Sequence, residues 1–327
     1  MEVMDTQKVR LGIMGCGAIA HAMSYAANHT PYVELYAVAS RSYEKAVAFN
    51  TSYDAKKVYG SYEELVLDKK VDLIYIATPH GLHHEHIKLC LDHDKHVLCE
   101  KAFTLNADLA RPLFKLAKEK KLFLMEAMWT RFIPSTHMIK DVLSLCVLGD
   151  IKHVTIDFGV KMPYDPSSRL WNPYLGGGAL LDIGIYPLTM MQVLFGKPNS
   201  MKSHVEFALN GVDKKEKITL TYDTFEATIR ISFEDDLEPN ALTIEGSQDT
   251  LVSERFWMSQ KVLLKEANEV IQMPFEMNGY EYELYESALM ILNHQLEHPL
   301  MTHDMTLEIL EWMDVLRKTW KFEYPHE

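Results

Sequence analysis

Cysteine is scarce in this 327-residue chain, which holds only Cys16, Cys90, Cys99 and Cys146. They form no CxxC pair and no disulfide-style spacing, which argues against a stapled secreted domain and for a reducing compartment. Basic charge is also in deficit: 33 Lys and Arg stand against 46 Asp and Glu, a net charge of −13. That balance disfavours nucleic acid or an anionic membrane surface as a partner. No apolar run reads as long enough to span a bilayer, and residues 1–5 have neither the basic nor the apolar region of a secretion leader. The expectation is a cytoplasmic protein with no membrane and no nucleic-acid partner. Internal repeats, low-complexity tracts and a Pro/Ser-rich linker are missing as well, and the length is that of two domains.

What the chain does carry begins at Leu11-Gly12-Ile13-Met14-Gly15-Cys16-Gly17-Ala18-Ile19-Ala20. An apolar strand pattern precedes the glycines and a helix pattern follows them. Gly15 permits the tight strand-to-helix turn, Gly17 lets backbone approach a pyrophosphate, and Ala20 holds the small packing position. The N–H groups of Ala18 and Ile19 open the helix and face the ligand's charge. From there to about residue 128, strand and helix patterns alternate: strands at 11–14, 33–39, 57–59, 71–77, 96–99 and 123–126, with helices between. Ser61 and Glu64 have the spacing of a capping box. Such alternation predicts a Rossmann-type, doubly wound parallel sheet. After residue 150 come period-2 stretches at 154–160, 201–209, 217–221, 225–233 and 241–246, with helical pattern only at 179–194, 281–297 and 301–320. These predict an α+β domain with a large, mostly antiparallel open sheet. The expected division is 1–128 for dinucleotide binding and 129–327 for substrate binding and dimerisation.

Three further segments carry chemistry. The second strand ends Ala37-Val38-Ala39-Ser40-Arg41 with no carboxylate at its tip. An NAD-preferring fold places Asp or Glu there for the ribose 2′-hydroxyl. Arg41 and Ser40 instead suit a 2′-phosphate, so NADP is favoured, with NAD as the alternative. Cys99-Glu100-Lys101-Ala102 lies at a strand end, the edge where open α/β sheets bind ligands. Asp182 and Tyr186 are four apart and share a face if their segment is helical, although Pro187 disturbs that helix. The histidine-rich run Pro79-His80-Gly81-Leu82-His83-His84-Glu85-His86 has some helix-compatible spacing, but it follows a Rossmann strand end and no metal is expected.

Taken together, these words resemble the glucose-fructose oxidoreductase/inositol dehydrogenase/MocA (Gfo/Idh/MocA) family over essentially the whole chain. The resemblance rests on Gly15-Cys16-Gly17, Ala77-Thr78-Pro79, Glu100-Lys101-Ala102 and Asp182-Ile183-Gly184-Ile185-Tyr186. Glu126-Ala127-Met128-Trp129-Thr130-Arg131-Phe132 and Gly177-Gly178-Ala179-Leu180-Leu181-Asp182 are similar to the branch of dimeric dihydrodiol dehydrogenases and NADP-dependent xylose dehydrogenases. Ala102 departs from the pattern, since relatives carry proline after Glu-Lys. The resemblance implies a catalytic group of Lys101, Asp182 and Tyr186. It places Thr78, Pro79, His83, Glu100, Trp129 and Arg131 with Gly15, Gly17, Ala18, Ile19, Ser40 and Arg41 around the cofactor. It puts Arg169, Trp171 and Tyr280 on the substrate side.

The reaction so implied is hydride transfer between the nicotinamide and a secondary hydroxyl or ketone of a small sugar, polyol or cyclic trans-diol, by a homodimer or higher homo-oligomer. A dinucleotide-sensing regulatory protein on the same fold is the alternative, separated from the enzyme by turnover on a polyol panel. The dimer is expected to form by burial of an apolar sheet face left uncovered by the few helices.

Overall fold

The computed structural model describes residues 7–325 and 327; residues 1–5, read above for a leader, lie outside that range. The chain forms two compact units, one of residues up to 129 together with 276–307, the other of 130–275 together with 308–327. The return of 276–307 to the first unit has no counterpart in composition or linker signal along the sequence.

In the first unit, β1 (Val9–Met14), α1 (Ala18–Ala27), β2 (Val33–Ala39), α2 (Tyr43–Asn50), β3 (Lys57–Tyr59), α3 (Tyr62–Leu67), β4 (Leu73–Ile76), α4 (His83–Asp92), β5 (His96–Glu100), α5 (Ala107–Lys120) and β6 (Leu124–Ala127) alternate as expected. All six strands pair in parallel, in the order β3-β2-β1-β4-β5-β6. β4 and β6 are buried at every position, as strands covered on both faces must be. The Ser61 cap forms, accepting the Glu64 N–H at 3.2 Å, while the Glu64 carboxylate accepts the N–H of Gly60, one residue before the cap, at 3.0 Å. Asn106 caps α5 through the Leu109 N–H at 2.8 Å, and Ala107, Ala110, Leu113, Phe114 and Ala117 bury one helical stripe.

The second unit holds α6 (Pro134–Ser144), β7 (Ile151–Gly159), α7 (Ile185–Phe195), β8 (Ser200–Phe207), β9 (Asp213–Thr221), β10 (Glu226–Ser232), β11 (Leu242–Gly246), β12 (Thr250–Ser253), β13 (Lys261–Leu264) and β14 (Glu269–Gln272). Its eight-stranded sheet runs β14-β13-β12-β11-β7-β10-β9-β8, with β7 and β10 parallel and the other neighbours antiparallel. The expected open sheet is therefore present, extended by β12, β13 and β14, each four residues long and too short for a period-2 pattern to stand out. Beyond it, α8 (Tyr280–Leu292) packs on α1, and α9 (His303–Trp320) begins among the residues of the first unit and ends among those of the second.

Two expectations are corrected. The stretch Pro173–Phe195 does have the length and apolar character of a bilayer span, yet it is mostly buried inside the second unit, as a core helix would be. The outer face of the sheet is apolar only in part: Val252, Leu263 and Val270 lie side by side on it across β12, β13 and β14, whereas β7, β9 and β10 are polar there. Inward Val154, Ile156, Ile218, Leu220, Ala227 and Ile229 alternate with outward Thr155, Asp157, Lys217, Thr219, Thr228 and Arg230, which are partly or fully exposed. Arg230 forms a two-pronged ion pair with Asp157 on that face.

Candidate active site

Strand register builds the candidate cofactor edge of the first unit. Ala39, Met14, Ile76 and Cys99 lie side by side across β2, β1, β4 and β5, and Glu100 pairs with Ala127. The residues that follow these tips share one sheet edge: Ser40 and Arg41, Gly15, Thr78, then Lys101. Strand order reverses between β1 and β4, the switch point at which such sheets take a ligand.

The backbone there fits a dinucleotide. Gly15 has φ of +101°, and a Cβ on it would sit 3.0 Å from the Ala77 carbonyl oxygen. At Gly17 a Cβ would meet nothing nearer than 4.0 Å, so the space in front of α1 is open. No side chain caps α1 and its first turn carries no acid, which leaves its positive end to a phosphate. Ser40 is buried and accepts the Ser42 N–H at 3.4 Å, while Arg41 is exposed. Arg41 stands near Tyr62 and His86, acting on both electrostatically. His86 in turn lies 2.8 Å from Thr78 Oγ1 and packs edge-on against Tyr62. Tyr62 and His86 were missed by sequence reasoning, because neither belongs to the strand tips that signal this edge.

The structure gives His83 a place behind the edge, not on it. Its ring is wholly buried, with Nδ1 2.8 Å from the Ala102 carbonyl and Nε2 2.7 Å from the Thr78 carbonyl. A neutral ring has a single N–H, so it donates to one of these carbonyls and packs against the other, between the loop of Lys101 and the end of β4. Lys101 itself is half-buried, and its peptide bond to Ala102 is cis. Glu100 accepts the Tyr75 hydroxyl, and Glu126 accepts the Phe103 N–H at 3.0 Å, so both acids fasten the same loop from within. Burial, with Glu100 and Glu126 nearby, raises the Glu283 carboxyl of α8 well above the ordinary range. Trp129 stacks on Tyr280 with ring centroids 4.4 Å apart.

Burial pushes the His83 imidazole down to about 4, and burial, with His83 and Arg41 alongside, does the same to His86. Both rings are therefore neutral in the folded protein at pH 7, while the unfolded chain takes up protons near the ordinary 6.5. The unfolded state binds more protons between those values, so stability is full above about pH 6.5 and falls as pH drops toward 4. His83→Gln should remove part of that fall in melting temperature. A wild-type melting temperature independent of pH across this window would contradict the assignment.

Asp182 and Tyr186 belong to the second unit. Gly176-Gly177-Gly178 leads into a π-helical turn, Leu180–Gly184, which runs directly into α7. The wide turn accommodates Pro187, which has no N–H to give and whose ring crowds the preceding turn. Gly184 lies against β10, where a Cβ would come within 2.8 Å of Ile231. Asp182 is almost fully buried and accepts Arg169 Nη1 at 2.9 Å; Tyr186 rests against Phe158 of β7 with ring centroids 5.8 Å apart. Arg131 is buried and donates to Gln192 of α7, which donates to Glu308 at 2.5 Å. Of the expected substrate-side residues, Arg169 meets Asp182, whereas Trp171 is buried and lines a separate cavity of about 780 Å³ with Tyr164, Phe233 and Lys214. Tyr280 lies in the first unit with Trp129.

A doubly wound sheet with an uncapped glycine turn at its switch point, followed by an open-sheet domain with a buried Asp–Tyr pair, defines a class: a two-domain, dinucleotide-dependent oxidoreductase. Residues 9–128 match the family model described as "Oxidoreductase family, NAD-binding Rossmann fold", and residues 136–252 match the GFO/IDH/MocA C-terminal domain. The chain is 30% identical over 321 residues to trans-1,2-dihydrobenzene-1,2-diol dehydrogenase of Mus musculus, covering 93% of this chain and 95% of that one. It is 39% identical over 209 residues to D-xylose 1-dehydrogenase (NADP(+)) of Hypocrea jecorina, covering 57% and 53% of the two chains. Among solved structures, a variant of KijD10, a 3-ketoreductase of Actinomadura kijaniata in complex with TDP-benzene and NADP, superposes with a TM-score of 0.87 at 25% identity, covering 95% and 98% of the two chains. The chain belongs to the Gfo/Idh/MocA oxidoreductase family, and it is an NAD(P)-dependent oxidoreductase.

Proposed function

We propose that this protein is an NADP-dependent oxidoreductase for a secondary hydroxyl or ketone of a sugar, polyol or cyclic trans-diol, with Lys101, Asp182 and Tyr186 as its catalytic group. The observation that carries the reading is the order along one sheet edge of Arg41, the glycine turn and the Lys101 loop. The relatives named for diols and for D-xylose support the substrate class. When bound, the cofactor supplies the hydride acceptor or donor. The residues must then move one proton. A tyrosine with an ordinary pKa near 10 is a poor base at neutral pH. The Lys101 ammonium favours the Tyr186 phenolate and the developing negative oxygen of the substrate together. Asp182, fixed by Arg169, holds a neighbouring hydroxyl and so orients the carbon that reacts.

The test is a panel containing trans-1,2-dihydrobenzene-1,2-diol, D-xylose and simple polyols, followed by nicotinamide absorbance with NADP and with NAD. Turnover with NADP on at least one substrate is expected. Cofactor binding without turnover anywhere on the panel would return the sensor reading. We also propose a cytoplasmic homodimer. The support for the dimer is the outward apolar stripe Val252, Leu263 and Val270 at the β12–β14 end of the eight-stranded sheet, and light scattering at twice the chain mass checks it.

A further inference from the structure

The helix that carries Asp182 and Tyr186 starts from a turn with little hold on its own conformation. Gly176 and Gly178 have φ of +74° and +128°, and a Cβ on Gly178 would fall 2.3 Å from Asp213 Oδ1. Glycines at such a hinge leave the chain its greatest freedom, so the start of the helix has to be fixed from outside. Two side chains do this. Asp213, at the head of β9, accepts the Leu180 N–H at 2.6 Å, a capping carboxylate brought from another element. Tyr324, beyond the end of α9, donates its hydroxyl to the Gly177 carbonyl at 2.9 Å in a buried bond. One peptide further on, the Gly178 carbonyl accepts the Asp182 N–H at 3.3 Å. Any shift of the Gly177–Gly178 peptide is thus passed straight to Asp182.

The Tyr324 support is itself well anchored. After α9 the chain reverses at Lys321, with φ of +58°, and the Phe322 N–H closes the turn on the Arg317 carbonyl at 3.0 Å. Arg317 is buried, pairs with Asp314 at 2.8 Å and Glu327 at 2.6 Å, and lies 5.1 Å over the Tyr324 ring. The Tyr324 N–H donates to the same Glu327 at 2.9 Å. The segment is a strap, clamped by a buried guanidinium, whose one buried hydroxyl reaches the glycine turn. Beside the other support, burial and the neighbouring Asp213 raise the Glu216 carboxyl well above the ordinary range, and burial raises that of Asp213 as well.

We propose that Tyr324 and Asp213 are positioning residues for the reaction: they set where the π-helical turn begins and thereby place Asp182 and Tyr186. The proposal rests on the catalytic roles given above to Asp182 and Tyr186. Its test compares the full-length protein with Tyr324→Phe, which removes only the hydroxyl, using whichever panel substrate turns over. The expected result is a kcat lowered about tenfold, since small misplacements of reacting groups are costly. KM and the NADP Kd should stay within about twofold. Amide hydrogen exchange should quicken at Leu180 and Asp182 while β7, β9 and β10 keep their protection. Asp213→Asn, which retains an acceptor for the Leu180 N–H, should stay near wild type in kcat, whereas Asp213→Leu should fall with Tyr324→Phe.

Unchanged kcat and exchange in Tyr324→Phe would overturn the proposal, as would protection lost evenly across the sheet. If Tyr324→Phe does not fold, Glu327→Gln loosens the strap at Arg317 and is read the same way. Normal turnover in Asp182→Asn and Tyr186→Phe would overturn the catalytic reading instead. The exchange at Leu180 would still report on the strap.

Discussion

Lys101→Met is expected to lower turnover at least about 100-fold, the scale of losing a positioned electrostatic donor at a reacting oxygen. The NADP Kd should remain within about twofold of wild type, because methionine keeps the stem and removes only the charge. The argument starts from the neighbours of Lys101. Glu126 and His83 act on the backbone of its loop, at the Phe103 N–H and the Ala102 carbonyl, and the preceding Glu100 is tied to β4 through the Tyr75 hydroxyl. That leaves the loop fixed whatever side chain stands at 101, so a lost ammonium is read as lost chemistry and not as lost structure. Tyr186→Phe should cost a comparable factor of about 100 by removing the proton carrier, with the ring still packed on Phe158. Steady-state kinetics and fluorescence titration of NADP check both. Near-normal rates in the two variants would remove these residues from the mechanism.

The second large effect concerns the cofactor. If Arg41 clamps a 2′-phosphate, the charge-assisted contact is worth about 1.5–3 kcal/mol, and Arg41→Ala weakens NADP roughly 10- to 100-fold. NAD binding should change little, since its 2′-hydroxyl carries no charge for the guanidinium. Arg41 is exposed at the tip of β2 with its backbone followed by the Ser42 cap of α2, which accepts the Lys45 N–H at 3.2 Å. The substitution therefore leaves the turn intact. Arg41→Asp goes further, repelling the phosphate and offering the ribose hydroxyl an acceptor. Dissociation constants of both cofactors, measured in wild type and both variants, decide the matter. Equal losses for NADP and NAD would mean that Arg41 shapes the loop and does not read the phosphate.

The parallel sheet was legible because its strands are buried on both faces and so appear as short, nearly unbroken apolar runs, with the Ser61 cap marking one of the helices. The edge residues were legible because a parallel sheet puts every strand tip on one side. Features that depend on where a side chain points were not. His83 has the same residues around it in sequence whether it faces a ligand or lies between two carbonyls, and only the fold chooses the second. The strands β12 to β14 carry too few residues for alternation to emerge. Asp213 and Tyr324 act on the Gly177–Leu180 turn from far along the chain, and nothing local to either residue announces that partnership. An apolar sheet face was expected from a shortage of helices; the outward positions of β7, β9 and β10 are filled by threonine and charge, and only Val252, Leu263 and Val270 toward the other edge are apolar.

The π-helical turn at Leu180–Gly184 has a consequence for how this segment tolerates length change. Each α-helical residue advances the side-chain direction by about 100°, so one extra residue in a wide turn shifts the phase of everything after it. Upstream of the turn lies the glycine hinge; downstream, the phase is matched to Phe158 of the sheet, against which Tyr186 packs, and to Thr136 of α6, which meets Met190. Deleting one residue here would yield a more regular helix, yet it would swing Tyr186 away from Phe158 by that same angle. The placement of Asp182 within the turn and of Tyr186 in the helix after it is thus tied to the length of this segment as well as to its residues.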